Sequence, residues 1–310
     1  MEIRKSDYES YDYREFWEDN KRLYEDNSER IAIKNLLKDV KTDKKLFMDL
    51  GCGYGRLFTE YKDYKRIILV DYSMNNLKIA KETIKNFLAF NENKLANISF
   101  IAADVTNLPF KENCTDIILT VRVVHHLSEP ENYFDEVKRI LKNNGLFFLE
   151  FANKRNLKNI FKSITGKMKT SPFSSASYKI GETILNFHPK YIMKILQERG
   201  FEVEKKVNVS NFRIGFLKKH IKPGILLFFE KLYQKLFSLV ALGPSIFLKN
   251  IIIKNNIKDL GRSIELMDIL TCPVCKKGDI SFEDDNILKC SICGRVFKIE
   301  DGIFNFKFDN

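Results

Sequence analysis

Three carboxylates and four cysteines are the residues of this chain whose types and spacing could do chemistry. Asp49 closes a short apolar run beginning at Leu46, and Gly51, Gly53 and Gly55 follow it. Asp71 ends the run Ile67-Ile68-Leu69-Val70, and Asp104 ends the run over residues 98–103. Continuous apolar runs of this length read as strands of a parallel sheet covered on both faces. Each carboxylate then lies at the C-terminal end of a strand, the edge at which open α/β sheets bind ligands. The alternate glycines make a tight turn where backbone approaches a ligand closely. One such aspartate could simply cap the following helix. Capping does not explain three at successive strand ends.

The glycine spacing narrows the ligand. A dinucleotide loop needs Gly-x-Gly-x-x-Gly, but here the third glycine falls one residue early and Arg56 holds the expected position. The Gly-Lys-Ser or Gly-Lys-Thr of a phosphate loop is absent. Asp49 beside the glycines would attract a cationic group and repel a diphosphate. S-adenosylmethionine, with an ammonium, a sulfonium and no phosphate, matches that charge pattern. Asp71 can accept from both ribose hydroxyls, and Asp104 from the adenine amino group with Val105 beside the ring.

The set Asp49-Leu-Gly-Cys-Gly-Tyr-Gly, Asp71, Ala103-Asp104-Val105 and Val123-Val124-His125-His126-Leu127 resembles the class I S-adenosylmethionine-dependent methyltransferases, over residues 31–254. The resemblance implies that Gly51 and Gly53 face the methionine moiety and that Asp49 receives its ammonium. It also implies that Asp71 and Tyr72 hold the ribose side, Asp104 and Val105 the adenine, and Val121 to Val123, with Arg122, the inner wall. The implied fold is an α/β Rossmann-like sheet of seven strands, order 3-2-1-4-5-7-6, the last strand antiparallel and helices on both faces.

Methyl transfer is an in-line displacement that needs a positioned nucleophile and often the removal of one proton. His125 and His126, after the fourth strand, and His188, at the start of a helix, are the candidate bases. In the resembling family the His-His-Leu position often packs near the cofactor without acting as the base. Glu150 points into the cleft or merely ends the fifth strand. Cys52 and Cys114 read as buried apolar fillers.

Positioning falls to elements legible from periodicity. Residues 1–30 form an acidic, aromatic arm with Tyr13, Trp17 and Tyr24 near helical spacing, a candidate lid or a helix on the sheet edge. Helices are expected over residues 29–40, 75–90, 130–142 and 189–199. Pro109 and Phe110 stiffen and anchor the turn before the fourth strand. Residues 152–187, with no acidic residue before Glu182, are expected to roof the substrate pocket, and residues 255–267 to link to a tail.

The tail, residues 268–310, carries Cys272-x-x-Cys275 and Cys290-x-x-Cys293 with 14 residues between the pairs. Four thiolates in two such knuckles can surround one zinc ion. Disulfides are the other reading, weakened because nothing resembling a secretory segment accompanies the cysteines. The tail is similar to Trm112-like zinc ribbons, which as separate subunits stabilise and activate methyltransferases; fusion implies a scaffold for this chain's own catalytic domain. Eight acidic against six basic residues in the tail argue against a nucleic-acid finger.

At 310 residues the chain can bury a full α/β core and carry this extra module. Its N-terminus is highly charged and no apolar run is long enough to span a bilayer, which points to a cytoplasmic enzyme. Net charge is +11, and residues 153–258 hold 21 Lys or Arg against 5 Glu, so the remainder carries −5. That stretch is a solvated basic surface, or it attracts RNA, acidic lipid or an anionic metabolite. The apolar but interrupted stretch over residues 225–248 could lie on a membrane as a peripheral contact. The amino-methyltransferase signatures Asn-Pro-Pro-Tyr and Asp-Pro-Pro-Tyr are absent. A small-molecule acceptor, anionic or lipid-linked, is the leading expectation. An RNA methyltransferase and a non-catalytic cofactor-binding regulator are the alternatives.

Overall fold

A computed structural model of the chain describes residues 13–17, 22–42, 45–89, 91–168, 170–175, 177–180, 184–237, 241–254 and 265–308. After a single 3-10 turn at Tyr13–Phe16, the catalytic part begins with α1 (Leu23–Leu37), β1 (Leu46–Leu50), β2 (Arg66–Asp71) and α2 (Met74–Phe87). It continues through α3 (Glu92–Leu95), β3 (Ile98–Ala102), β4 (Thr115–Thr120), α4 (Pro130–Ile140) and β5 (Leu141–Ala152). Next come α5 (Leu157–Ile164), the hairpin β6 (Tyr178–Ile180) and β7 (Ile184–Asn186), and α6 (Pro189–Gln197). β8 (Phe201–Val209), α7 (Gly215–His220), α8 (Pro223–Leu236) and β9 (Ser245–Ile252) complete it. The tail contributes α9 (Leu266–Ile269), β10 (Ile280–Asp284), β11 (Ile287–Cys290), β12 (Val296–Glu300) and β13 (Ile303–Asn305).

Seven strands lie in the expected order, β3-β2-β1-β4-β5-β9-β8, and β9 runs antiparallel to both neighbours. β1, β2 and β3 are apolar at nearly every position because both faces of the sheet are covered. One core lies on the face with Met48, Ile118, Phe134 and Phe147; the other lies on the face with Phe47, Ile67, Leu77 and Ile117. Adjacent residues of a strand thus enter opposite cores, as the two-residue strand period requires.

Two expectations change. The sheet does not end at β3: β13 pairs with it in parallel, and β12, β11 and β10 follow, making one eleven-stranded sheet. The tail is a continuation of the catalytic sheet rather than a module resting against it, because β3 would otherwise offer an unpaired edge of N–H and C=O groups. Phe110, expected to anchor its own loop, also bridges to Leu270, and Thr271 N donates to Pro109 O at 3.0 Å.

The helix before β1 starts at Leu23, earlier than residue 29, and β8 runs on to Val209. Tyr24, read as part of the aromatic arm over the cleft, is buried in α1 and donates to Glu230 Oε2 at 2.6 Å, facing α8 instead. Of the arm expected as a lid, residues 1–30, residues 1–12 and 18–21 lie outside the described residues, as does most of the linker, residues 255–264.

Candidate cofactor cleft and cysteine cluster

A cleft of about 620 Å³ opens at the C-terminal ends of β1, β2, β3 and β4. Asp49, Gly51, Gly53, Asp71, Tyr72, Asp104, Val105, Val121 and Arg122 all line it. The structure therefore brings together every residue named for the cofactor, from four separate strand ends.

The loop after β1 follows from two glycine conformations. Gly51 has φ +80°, and a β-carbon there would lie 2.1 Å from Val123 Cγ2. Gly53 has φ +55° and turns its N–H onto Asp71 Oδ2 at 2.8 Å. Side chains of L-residues disfavour both conformations, and at Gly51 the approach of Val123 leaves no room for one. Asp71 Oδ1 accepts from Ser73 N at 2.9 Å and from Asn76 Nδ2 at 3.4 Å, so both carboxylate oxygens are fixed. Asp104 Oδ1 is likewise held by Thr106 N at 2.8 Å and Thr106 Oγ1 at 2.7 Å.

Asp49 is buried and accepts from Tyr61 Oη at 2.5 Å. Burial pushes its carboxyl up to about 7; the Tyr61 hydrogen bond pulls it down and the nearby Asp71 charge raises it further. A buried, easily protonated carboxylate on the cleft wall would gain a full charge partner if a cation bound beside it.

The cleft's two arginines are both committed. Glu29, fully buried in α1, accepts from Arg122 Nε at 2.9 Å through Oε1 and from Arg56 Nη2 at 2.6 Å through Oε2. The ring of Trp17 lies 3.8 Å from the Arg56 guanidinium and 4.8 Å from that of Arg122, closing the stack. Arg122 itself has φ +63°, and its N–H donates to Glu150 Oε2 at 2.8 Å. Glu150, whose other oxygen takes Ser245 Oγ at 2.5 Å, thus holds the cleft wall from behind and does not line it. The sequence singles out Trp17 only as part of the aromatic arm and Arg56 only as the residue in place of a glycine, and it does not mark Glu29 at all. Nothing in the local pattern of α1 marks Glu29, and its partners lie 27 and 93 residues away.

The three histidines separate. His126 lines the cleft, as do Glu129 and Asn132. His125 is buried beside it, ring centroids 4.2 Å apart, and burial holds it well below the ordinary histidine range. His188 caps α6, its Nδ1 accepting from Lys190 N at 3.2 Å, and is buried away from the cleft-lining residues. Neither His125 nor His188 is among the residues lining this cleft. None of the described residues between 152 and 187 is among those lining this cleft. Cys52 and Cys114 are buried, and burial raises both thiols above their ordinary value, consistent with fillers.

In the tail the Sγ atoms of Cys272, Cys275, Cys290 and Cys293 all lie within 4.8 Å of one another. The Cys272–Cys293 and Cys275–Cys290 pairs are 3.6 Å apart, too long for disulfides and close to the edge of a tetrahedron with bonds of about 2.3 Å. The tail also reaches the cleft: Phe306 N donates to Ala102 O at 2.8 Å, and Lys307 Nζ lies 5.1 Å from the ring centroid of Tyr72.

A Rossmann-like sheet with a glycine turn and three strand-end carboxylates around one cleft defines an α/β enzyme of the adenosyl-cofactor type. Comparison with known proteins agrees. Residues 48–149 match the methyltransferase domain family and residues 263–302 the Trm112p-like protein family. An uncharacterized protein of Methanocaldococcus jannaschii is 30% identical over 197 residues, covering 58% of this chain and 78% of its own. The ubiquinone biosynthesis O-methyltransferase of Pelagibacter ubique is 31% identical over 165 residues, 49% of this chain; the match spans 65% of that enzyme, just under two thirds. The complex between the Haloferax volcanii Trm112 methyltransferase activator and its putative methyltransferase shares the fold. Its TM-score is 0.52 at 15% identity, covering 79% of this chain and 97% of that one. The chain carries a methyltransferase domain with the S-adenosylmethionine-dependent methyltransferase fold and, C-terminal to it, a Trm112-like domain.

Proposed function

We propose that this protein transfers a methyl group by in-line displacement to a small-molecule acceptor. S-adenosylmethionine in the 620 Å³ cleft would supply the electrophilic methyl carbon. The observation that carries the reading is the charge of the cleft wall. Asp49, Asp71 and Asp104 face the cleft, while Arg56 and Arg122, its two arginines, are ion-paired with Glu29. A wall of this kind suits a cationic, phosphate-free ligand and disfavours a diphosphate.

Asp71 would hold the ribose hydroxyls, Asp104 and Val105 the adenine, and Asp49 the ammonium. Among the candidate bases His126 alone lines the cleft, with Glu129 beside it in the wall, so His126 is the residue to accept a proton from the acceptor nucleophile. Similarity to an enzyme named for ubiquinone biosynthesis supports an acceptor with an apolar body. The RNA alternative has less support, since no described Lys or Arg of residues 153–258 is among those lining the cleft. The cysteine cluster fits one zinc ion in a structural role, tying β11 to the loop before β10.

Labelled S-adenosylmethionine, incubated with the enzyme and separately with an organic-soluble extract, an aqueous metabolite extract and total RNA, tests this. Label is expected in a small-molecule fraction; label in RNA alone would overturn the reading.

A further inference from the structure

We propose that α7 and α8 dock this protein onto the surface of an anionic lipid bilayer. α8 is amphipathic the wrong way round for a helix on a soluble core. Toward the domain it buries Leu226 together with the polar Glu230 and Gln234. Toward solvent it shows Ile225, Phe228, Phe229, Leu232 and Leu236, spaced i, i+3, i+4, i+7 and i+11, with Phe228 66% and Leu236 61% exposed.

The helix cannot roll to hide that stripe. Glu230, with no exposure, accepts from Tyr24 Oη at 2.6 Å, Ser210 N at 2.8 Å, Asn211 N at 3.0 Å and Gln234 Nε2 at 2.9 Å. Gln234 Nε2 also reaches Ser28 O at 3.0 Å. Breaking these bonds would strand a buried carboxylate. The apolar face is therefore held outward by the polar one. Ahead of it, Ile214 and Phe216 of the α7 turn are 55% and 70% exposed.

Charge selects the partner. Over residues 213–237 there are six basic side chains, Arg213, Lys218, Lys219, Lys222, Lys231 and Lys235, and one acidic residue, the buried Glu230. Lys219, Lys222, Lys231 and Lys235 are exposed around the apolar stripe. A single helix about 21 Å long, apolar along its crest and flanked by one sign of charge, matches an acidic headgroup layer over an acyl interior. No described helix is long and apolar enough to cross a membrane, so the contact is interfacial. A second stripe of the same kind, Leu157, Phe161 and Ile164 on α5, starts where Leu157 N donates to Leu242 O at 3.0 Å, beyond the end of α8.

Docked in this way, the protein keeps its cleft wall one helix from the bilayer, since Ser28, bonded to α8, precedes the Glu29 that holds Arg56 and Arg122. The inference stands on the surface itself and needs no particular acceptor.

The test is co-sedimentation of the full chain with vesicles of phosphatidylcholine alone and of phosphatidylcholine mixed with phosphatidylglycerol, at low and high salt. Binding is expected to the phosphatidylglycerol vesicles and to weaken severalfold in high salt. A Phe228→Ser/Leu232→Ser/Leu236→Ser variant should lose about tenfold or more of that binding, as should Lys222→Glu/Lys231→Glu/Lys235→Glu. Calorimetric binding of S-adenosylhomocysteine should be unchanged in both variants, which separates loss of the surface from loss of the fold or cleft. Wild-type protein that stays in the supernatant, or variants that pellet like wild type, would overturn the proposal. So would a wild-type dimer in sedimentation velocity that the Phe228→Ser/Leu232→Ser/Leu236→Ser variant abolishes, since the face would then be a self-interface.

Discussion

Glu29 Oε1 accepts from Arg122 Nε at 2.9 Å across 93 residues of sequence, and its other oxygen takes Arg56. Burial alone would push the Glu29 carboxyl up, but Arg122 and Arg56 together hold it below the ordinary carboxylate range. A depressed carboxyl contributes stability above its unfolded value of about 4.3, and that contribution is lost as pH falls through the folded value. Glu29→Gln is expected to destabilise the protein by roughly 3 kcal/mol at neutral pH, because two arginines lose their buried partner. Urea unfolding at pH 7 and at pH 4 checks this: the gap between wild type and variant should shrink at the lower pH.

Gly51 and Val123 meet where there is no room for a methyl group. Gly51→Ala should weaken S-adenosylhomocysteine binding by about tenfold or more, through both the contact and the positive φ. Adding Val123→Ala should recover part of the loss, since it relieves the contact and leaves the backbone strain. Calorimetry showing no difference between the single and double variants would mean that strain alone sets the effect.

Asp49 offers a pH test. With its carboxyl near 7 in the folded chain and near 4 unfolded, the native state retains a proton across that window. Stability should therefore fall as pH rises from about 4 to about 7, while binding of a cationic ligand should tighten as pH rises through about 7. Asp49→Asn is expected to flatten both trends. Isothermal titration over pH 6 to about 8 reads the binding trend and urea unfolding over pH 4 to about 7 the stability trend, and an equally steep binding profile in the variant would reject the ammonium assignment.

Asp71→Ala removes the acceptor of Gly53 N–H and Ser73 N–H as well as the proposed ribose contact. Cofactor affinity is expected to drop by about one to two orders of magnitude. His126→Asn should lower kcat for the acceptor found, with cofactor affinity held, whereas His188→Ala should cost stability through its lost cap, about 1 kcal/mol, and spare kcat.

Zinc removal probes the tail. If the four thiolates hold one ion, dialysis against a chelator and Cys290→Ser should each lower the melting temperature and the zinc content. Because β13 supplies the edge partner of β3, which leads to Asp104, cofactor affinity should fall with it. Full stability in the metal-free protein would argue that the cluster is not structural.

The family resemblance implied the sheet order; the sequence by itself determined the glycine turn, the three carboxylates and the four-cysteine cluster. These rest on local signals: apolar runs, φ-permissive residues at fixed offsets and paired knuckles, all read within a few residues of one another. Tertiary structure alone decided which histidine meets the cleft, since His125 and His126 are neighbours in sequence and differ only in which way the chain turns them. It alone decided that Glu29 bridges both arginines, that the tail extends the catalytic sheet through β13, and that α8 shows its apolar face to solvent. Each of these depends on a partner from a distant part of the chain, and periodicity within a segment reports which residues share a face but not what that face will meet.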